Sequence, residues 1–311
     1  MHRRLTAAVS AMASAALIVT LVGCAQADDG AGQALSIVAS TNVYADIARQ
    51  VAGIGVEVTA IIDSAAKDPH EYEASAQDQL AVSKADLLIG NGGGYDAFFE
   101  ILISASGNVG APVLTAVDIP GGTAVDIPGG EVGSAAGQLN EHVWYDFGRM
   151  QNLAGEIAAR LSELDPAGAD GYQANAAQFG AAIADLVVQR TELAGHVDGM
   201  SVAVTEALPL YLLDALGLVN LTPAEFSAAI EEGIDAPADA MRMMLALLSE
   251  RTVDGLVVNA QTAGAQTDAL KSEAERNGIP VIAMTETLPD GRDYQTWMAA
   301  NLLGIGTALE Q

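Results

Sequence analysis

The feature that most constrains the fold is a break in rhythm. From Phe147 to His196 the sequence carries no strand signal. On either side, short β-branched runs alternate with helical stretches. Before the break, Leu35–Ser40, Val56–Ile62, Asp86–Asn91 and Pro112–Val117 read as strands. Val43–Ala52, Ser75–Ser83 and Tyr95–Ala105 read as the helices between them. After it, Ser201–Thr205, Gly255–Asn259 and Ile279–Thr285 read as strands, with helices at Pro209–Leu216, Pro237–Glu250, Thr267–Asn277 and Tyr294–Glu310. Strands that alternate with helices predict parallel β/α units. Within the break, Tyr172, Ala176, Phe179, Ile183, Leu186, Val187 and Leu193 recur at helical spacing, and Asp165-Pro166 separates a shorter helix from this long one. The expectation is an α/β protein of two lobes, each a small, mostly parallel sheet flanked by helices, joined by a long rigid spine helix. A length of 311 residues suits one large domain or two of roughly 130 residues.

The N-terminus stands apart. Arg3 and Arg4 precede an apolar run from Ala7 to Val22, which ends in Leu21-Val22-Gly23-Cys24. The run has the form of a signal peptide and is too short and too rich in Ala and Ser for a strong spanning anchor. Cys24, the only cysteine, stands where a bacterial lipobox places its lipidated residue. The expected organisation is a signal peptide (1–23), a lipidated tether (24–34), an N-terminal lobe (35–146), linking helices (147–198) and a C-terminal lobe (199–311).

Charge and cysteine count exclude several classes. The chain has 13 Lys+Arg against 40 Asp+Glu, a formal charge of −27, and removal of residues 1–23 takes away two Arg and no acid, giving −29. Phosphate neutralisation needs clustered cations, and with three Lys this chain is not a nucleic-acid binder. One Cys excludes an intrachain disulfide framework and a Cys-rich zinc site, so any metal site must use His and carboxylates.

Three histidines remain after the leader: His70, His142 and His196. His196 closes the long helix, where a cation complements the helix C-terminus. His70 lies just past a predicted strand, in Lys67-Asp68-Pro69-His70-Glu71-Tyr72-Glu73. That is the carboxyl edge of the sheet, where open α/β folds bind ligands. His142 lies in Asn140-Glu141-His142-Val143-Trp144-Tyr145-Asp146. Both sit in turns rich in acid, and neither falls on an apolar helical face.

With the lipobox, Ala85-Asp86-Leu87 and Asn91-Gly92-Gly93-Gly94-Tyr95-Asp96, these segments resemble the zinc/manganese solute-binding lipoproteins of bacterial ABC importers, the cluster A-I type. The resemblance covers residues 24–311. It implies one divalent cation held between the lobes by four side chains. His70 and His142 match the first lobe's pair. The third ligand follows the first strand of the second lobe, where this chain has Glu206. The fourth is normally an Asp after the last strand; here no Asp stands in register, Glu286 is the nearest carboxylate and Asp290 the alternative. The His-rich loop of many zinc-binding relatives is also missing, and a tandem repeat of TAVDIPGG, Thr115–Gly122 and Thr123–Gly130, stands in its place.

Two imidazoles and two carboxylates suit tetrahedral Zn²⁺, and extra oxygen donors would suit Mn²⁺. The expectation favours Zn²⁺ narrowly over Mn²⁺ as the transported ion, with an ABC permease as partner, a lipid anchor on the membrane's outer face or in the periplasm, and a monomeric state. Asn259 and Gln261 are candidates to hydrogen-bond the ligand carboxylates. The three glycines at 92–94 lack the spacing of a phosphate loop and read as a tight strand-to-helix turn. Trp144, Trp297 and Met241, Met243 and Met244 read as packing residues. Two other functions fit the same scaffold: a secreted zinc hydrolase, for which no HExxH is present, and an adhesin-like surface lipoprotein.

Overall fold

Eight parallel-paired strands form two separate sheets in the computed structural model, which describes residues 34–67, 69–70, 72–121 and 139–310. The signal peptide, Cys24 and the second copy of the repeat lie outside the described residues. The first sheet has the order β2-β1-β3-β4, from Ser36–Thr41 (β1), Glu57–Ile62 (β2), Leu87–Gly90 (β3) and Val113–Thr115 (β4). The second has the order β6-β5-β7-β8, from Ser201–Val204 (β5), Val219–Asn220 (β6), Gly255–Asn259 (β7) and Val281–Met284 (β8). Every pairing is parallel, as β/α crossovers require. Helices cover the faces, so central strands such as β3 and β7 are fully buried, and β7 is apolar up to its last residue, Asn259.

The helices of the first half are Asn42–Ala52 (α1), Ala76–Lys84 (α2) and Ala97–Ser106 (α3). The strand-free middle folds as Phe147–Leu164 (α4) and Ala169–Val197 (α5), broken at Asp165-Pro166 as expected. The second half holds Leu210–Ala215 (α6), Ala224–Glu231 (α7), Ala238–Ser249 (α8), Ala265–Arg276 (α9) and Tyr294–Leu309 (α10). One strand and one α-helix escaped the sequence reading. Strand β6 is two residues long, too short to show alternation, and α7 is a single eight-residue helix after it. Met243 is also exposed rather than packed, whereas Met244 of the same helix is fully buried.

The spine has a physical basis. At about 1.5 Å per residue, the 29 residues of α5 run roughly 43 Å. Tyr172, Phe179, Ile183 and Leu186 line its buried face. One apolar core runs from Ile37 and Tyr44 of the first half, through these residues, to Val204, Val257 and Trp297 of the second. Buried polar links cross between the halves as well. Asn42 Nδ2 donates to the Leu288 carbonyl (2.8 Å) while Leu288 N–H donates back to Asn42 Oδ1 (3.0 Å). The Tyr294 hydroxyl donates to the Trp144 carbonyl at 2.6 Å, and the Tyr145 hydroxyl to the Thr285 carbonyl at 2.8 Å. Buried hydrogen bonds of this kind are costly to leave unmade, so they hold the two halves in register. Among the described residues no helix is long and apolar enough to cross a membrane.

Candidate metal centre

Every residue singled out for the cleft follows the carboxyl end of a strand or lies in the turn that enters the central helices. His70 lies in the turn after β2, Glu206 two residues past β5, and Glu286 two residues past β8. His142 precedes the 3-10 turn Val143–Tyr145, which leads into α4. Parallel sheets direct their strand ends to one edge; among the described residues the close ligand set there is His70, His142 and Glu141, and it does not include Glu206 or Glu286.

The first half contributes a tight set. One ligand atom each from His70, Glu141 and His142 falls within 4.8 Å of the others. His70 Nε2 lies 3.7 Å from Glu141 Oε1. His142 is fully buried, and its Nδ1 is 2.8 Å from Asn140 Oδ1. The same oxygen accepts the His142 backbone N–H at 3.1 Å, while Asn140 Nδ2 donates to the Ala207 carbonyl at 3.0 Å. Oδ1 is therefore the acceptor, Nδ1 carries the proton, and the Nε2 lone pair faces the cleft. That nitrogen makes no hydrogen bond among the described residues; Glu231 Oε1, from the end of α7, lies 3.7 Å away.

The second half contributes a carboxylate pair. Asn259, the last residue of β7, points Nδ2 at Glu206 Oε2 (2.6 Å) and at Glu286 Oε1 (2.8 Å). Gln261 Oε1 accepts the backbone N–H groups of Glu286 (2.8 Å) and Thr287 (3.0 Å), which fixes the loop after β8. Asn259 thus contacts both carboxylates directly, and Gln261 acts on the backbone beneath one of them. Glu286 is buried, whereas Asp290 is exposed. His196 lies away from this edge, at the end of α5, with Nδ1 2.7 Å from Glu310 Oε1.

Tyr95 joins the two sets. Its ring packs edge-on against His70 (5.2 Å between centroids) and His142 (6.0 Å), and its hydroxyl lies 3.4 Å from Glu286 Oε2. Trp144 is a packing residue, as expected, and closes the apolar side against Tyr95 and His142. The Gly92–Gly94 turn sets Tyr95 in place. All three glycines have positive φ, and Asp96 accepts the N–H groups of Asn91 (2.6 Å) and Gly92 (2.8 Å).

Electrostatics record how closely the acids are crowded. Burial pushes the Glu141 carboxyl up to about 8, with the Glu231 and Asp96 charges adding to it. Burial likewise raises Glu231 to about 7, with Glu206 adding and a hydrogen bond from the Ala207 N–H opposing. Burial drives His142 down to about 3, helped by the charge on His70. A buried, neutral His142 beside carboxylates that repel one another forms a field suited to a divalent cation. Glu141, Glu231 and Tyr95 were not singled out in the sequence. Glu141 and Tyr95 stand inside quoted motifs, and Glu231 sits beside Ile230 in the buried stripe of α7.

The fold and site define an α/β solute-binding protein with two sheets meeting at a polar cleft. A profile of the ZnuA family, described as "Zinc-uptake complex component A periplasmic", matches residues 37–308, and the chain belongs to that family. It is 26% identical over 309 residues to the metal ABC transporter substrate-binding lipoprotein FimA of Streptococcus parasanguinis, covering 95% of this chain and 96% of the relative. It is 23% identical over 311 residues to the manganese ABC transporter substrate-binding lipoprotein PsaA of Streptococcus pneumoniae, with the same coverage. In fold it matches the Mn²⁺ complex of the solute-binding protein FpvC from Pseudomonas aeruginosa (TM-score 0.74, 22% identity, 89% of this chain and 99% of that one).

Proposed function

We propose that this chain is the extracytoplasmic receptor of a bacterial metal importer. It captures one Zn²⁺ or Mn²⁺ ion as cargo between the two sheets and delivers it to an ABC permease. His70, His142, Glu206 and Glu286 are its metal-binding side chains. Cys24 carries the lipid that tethers it to the outer face of the cytoplasmic membrane or in the periplasm, and it acts by binding, without catalysis. The relatives' names, which join metal transport to lipoprotein anchoring, support this reading.

The observation that carries it is His142. A fully buried imidazole, held by Asn140 so that its bare nitrogen faces carboxylates, is a poor packing residue and a good ligand. Two imidazoles and two carboxylates bring two negative charges to a divalent ion, so the bound ion leaves no net charge in a partly buried cleft. A site of two nitrogens and two oxygens binds Zn²⁺ more tightly than Mn²⁺ in solution by the general order of divalent affinities.

The test is to purify the protein from cells given both metals, measure its ion content, and load it with each metal before mixing with the permease in proteoliposomes. Ion transfer that depends on the loaded receptor is expected. A protein that carries no divalent ion and promotes no uptake would rule the function out.

A further inference from the structure

We propose that Glu141 is a metal-binding carboxylate. With His70 and His142 it forms a three-donor site lying wholly in the first half, able to hold the ion without Glu206 or Glu286. The inference rests on the metal-receptor reading and extends it by one donor.

Three observations support it. First, the ligand atoms of His70, Glu141 and His142 lie within 4.8 Å of one another, close enough for one cation to touch all three after small side-chain rotations. Second, the backbone of Glu141 is held by two hydrogen bonds. Its carbonyl accepts the Asn91 Nδ2–H at 3.0 Å and the Val143 N–H at 2.7 Å. The carboxylate therefore has a defined origin and only its own χ angles to adjust. Third, the glycine turn lies directly against this side chain: a Cβ on Gly93 would stand 3.4 Å from Glu141 Cβ, and one on Gly94 would stand 3.4 Å from Glu141 Oε2, both ordinary contact distances.

The pairing with His70 alone has a plainer explanation, an ion pair across 3.7 Å. It does not account for the third member. His142 is fully buried, its Nε2 makes no hydrogen bond among the described residues, with Glu231 Oε1 3.7 Å away, and it belongs to the same 4.8 Å set. A cation placed there satisfies three groups at once. A third carboxylate also raises the oxygen share of the donor set, which moves the site toward ions that accept more than four ligands, Mn²⁺ among them.

The experiment uses Co²⁺ and Mn²⁺ as probes on the metal-stripped protein. It compares the wild type, Glu141→Gln, the double variant Glu206→Gln/Glu286→Gln, and the triple variant. The double variant is expected to keep one weak Co²⁺ site, and adding Glu141→Gln should weaken it by about tenfold or more and change the Co²⁺ visible spectrum. Glu141→Asp in the double background should restore part of the affinity. Glu141→Gln is nearly isosteric, and melting curves of each variant check folding. Identical affinity and spectrum in the double and triple variants would overturn the role of Glu141. A wild type that binds neither ion would instead overturn the receptor reading.

Discussion

Asn140 Oδ1 lies 2.8 Å from Nδ1 of His142 and fixes which ring nitrogen is bare. Asn140→Ala removes that acceptor, along with the Asn140 link to the Ala207 carbonyl. The ring is then free to turn and to change tautomer. Metal affinity should fall by about 10- to 100-fold while the far-ultraviolet circular dichroism stays unchanged. Titration calorimetry against Zn²⁺ measures the loss, and unchanged affinity would show that Asn140 does not orient the ligand.

Asn259 is a donor shared by two acids, Glu206 at 2.6 Å and Glu286 at 2.8 Å. Asn259→Ala leaves those carboxylates to repel one another across the gap. The expected result is a loss of affinity of about tenfold or more, with a faster off-rate in chelator-chase kinetics. An off-rate equal to wild type would count against a role for Asn259 in presenting the pair.

Stability of the metal-free protein should depend on pH in two opposed ways. His142 resists protonation down to about pH 3 when folded, against 6.5 when unfolded, so its effect raises stability as pH climbs through that window. Glu141 and Glu231 hold their protons to about pH 8 and 7 when folded, against 4.5 when unfolded. Their contribution is complete below about pH 4.5 and is lost as pH rises through 7 and 8. Chelator-treated protein should melt at a lower temperature at pH 8.5 than at pH 6, and a saturating metal should shrink the difference. Equal melting temperatures at both values without metal would contradict the crowding of the acids.

Gly92 has φ +77°, and an added Cβ would come within 2.4 Å of Thr115 Cγ2. Gly92→Ala should destabilise the fold by about 1–3 kcal/mol in chemical denaturation. A variant as stable as wild type would mean that the turn has slack the geometry does not show.

Much of this arrangement is legible in the sequence, for identifiable reasons. The β/α rhythm and the strand-free middle come from periodicity, and the two sheets and the spine follow from them. His70, His142, Glu206 and Glu286 each sit at a strand end or at the entry to a helix, and position there can be read without coordinates. What escaped is what depends on packing between distant segments. Glu231 belongs to α7, whose apolar Phe226, Ala229 and Ile230 do follow helical spacing, but over one eight-residue helix that signal is short. Its approach to His142 depends on how α7 folds against the loop after β5. Glu141 lies beside His142 in the chain, yet only the turn at Asn140 makes both side chains reach the same space. The glycine run read correctly as a turn, and its relation to Tyr95 and Glu141 appears only in three dimensions.

The most direct test is calorimetric titration of the metal-stripped mature protein with Zn²⁺ and Mn²⁺, for the wild type and for His70→Ala, His142→Ala, Glu206→Ala and Glu286→Ala. One ion per wild-type chain is expected, with losses of at least about a hundredfold for each His variant. Stoichiometric tight binding that survives both His70→Ala and His142→Ala would contradict a metal site in this cleft.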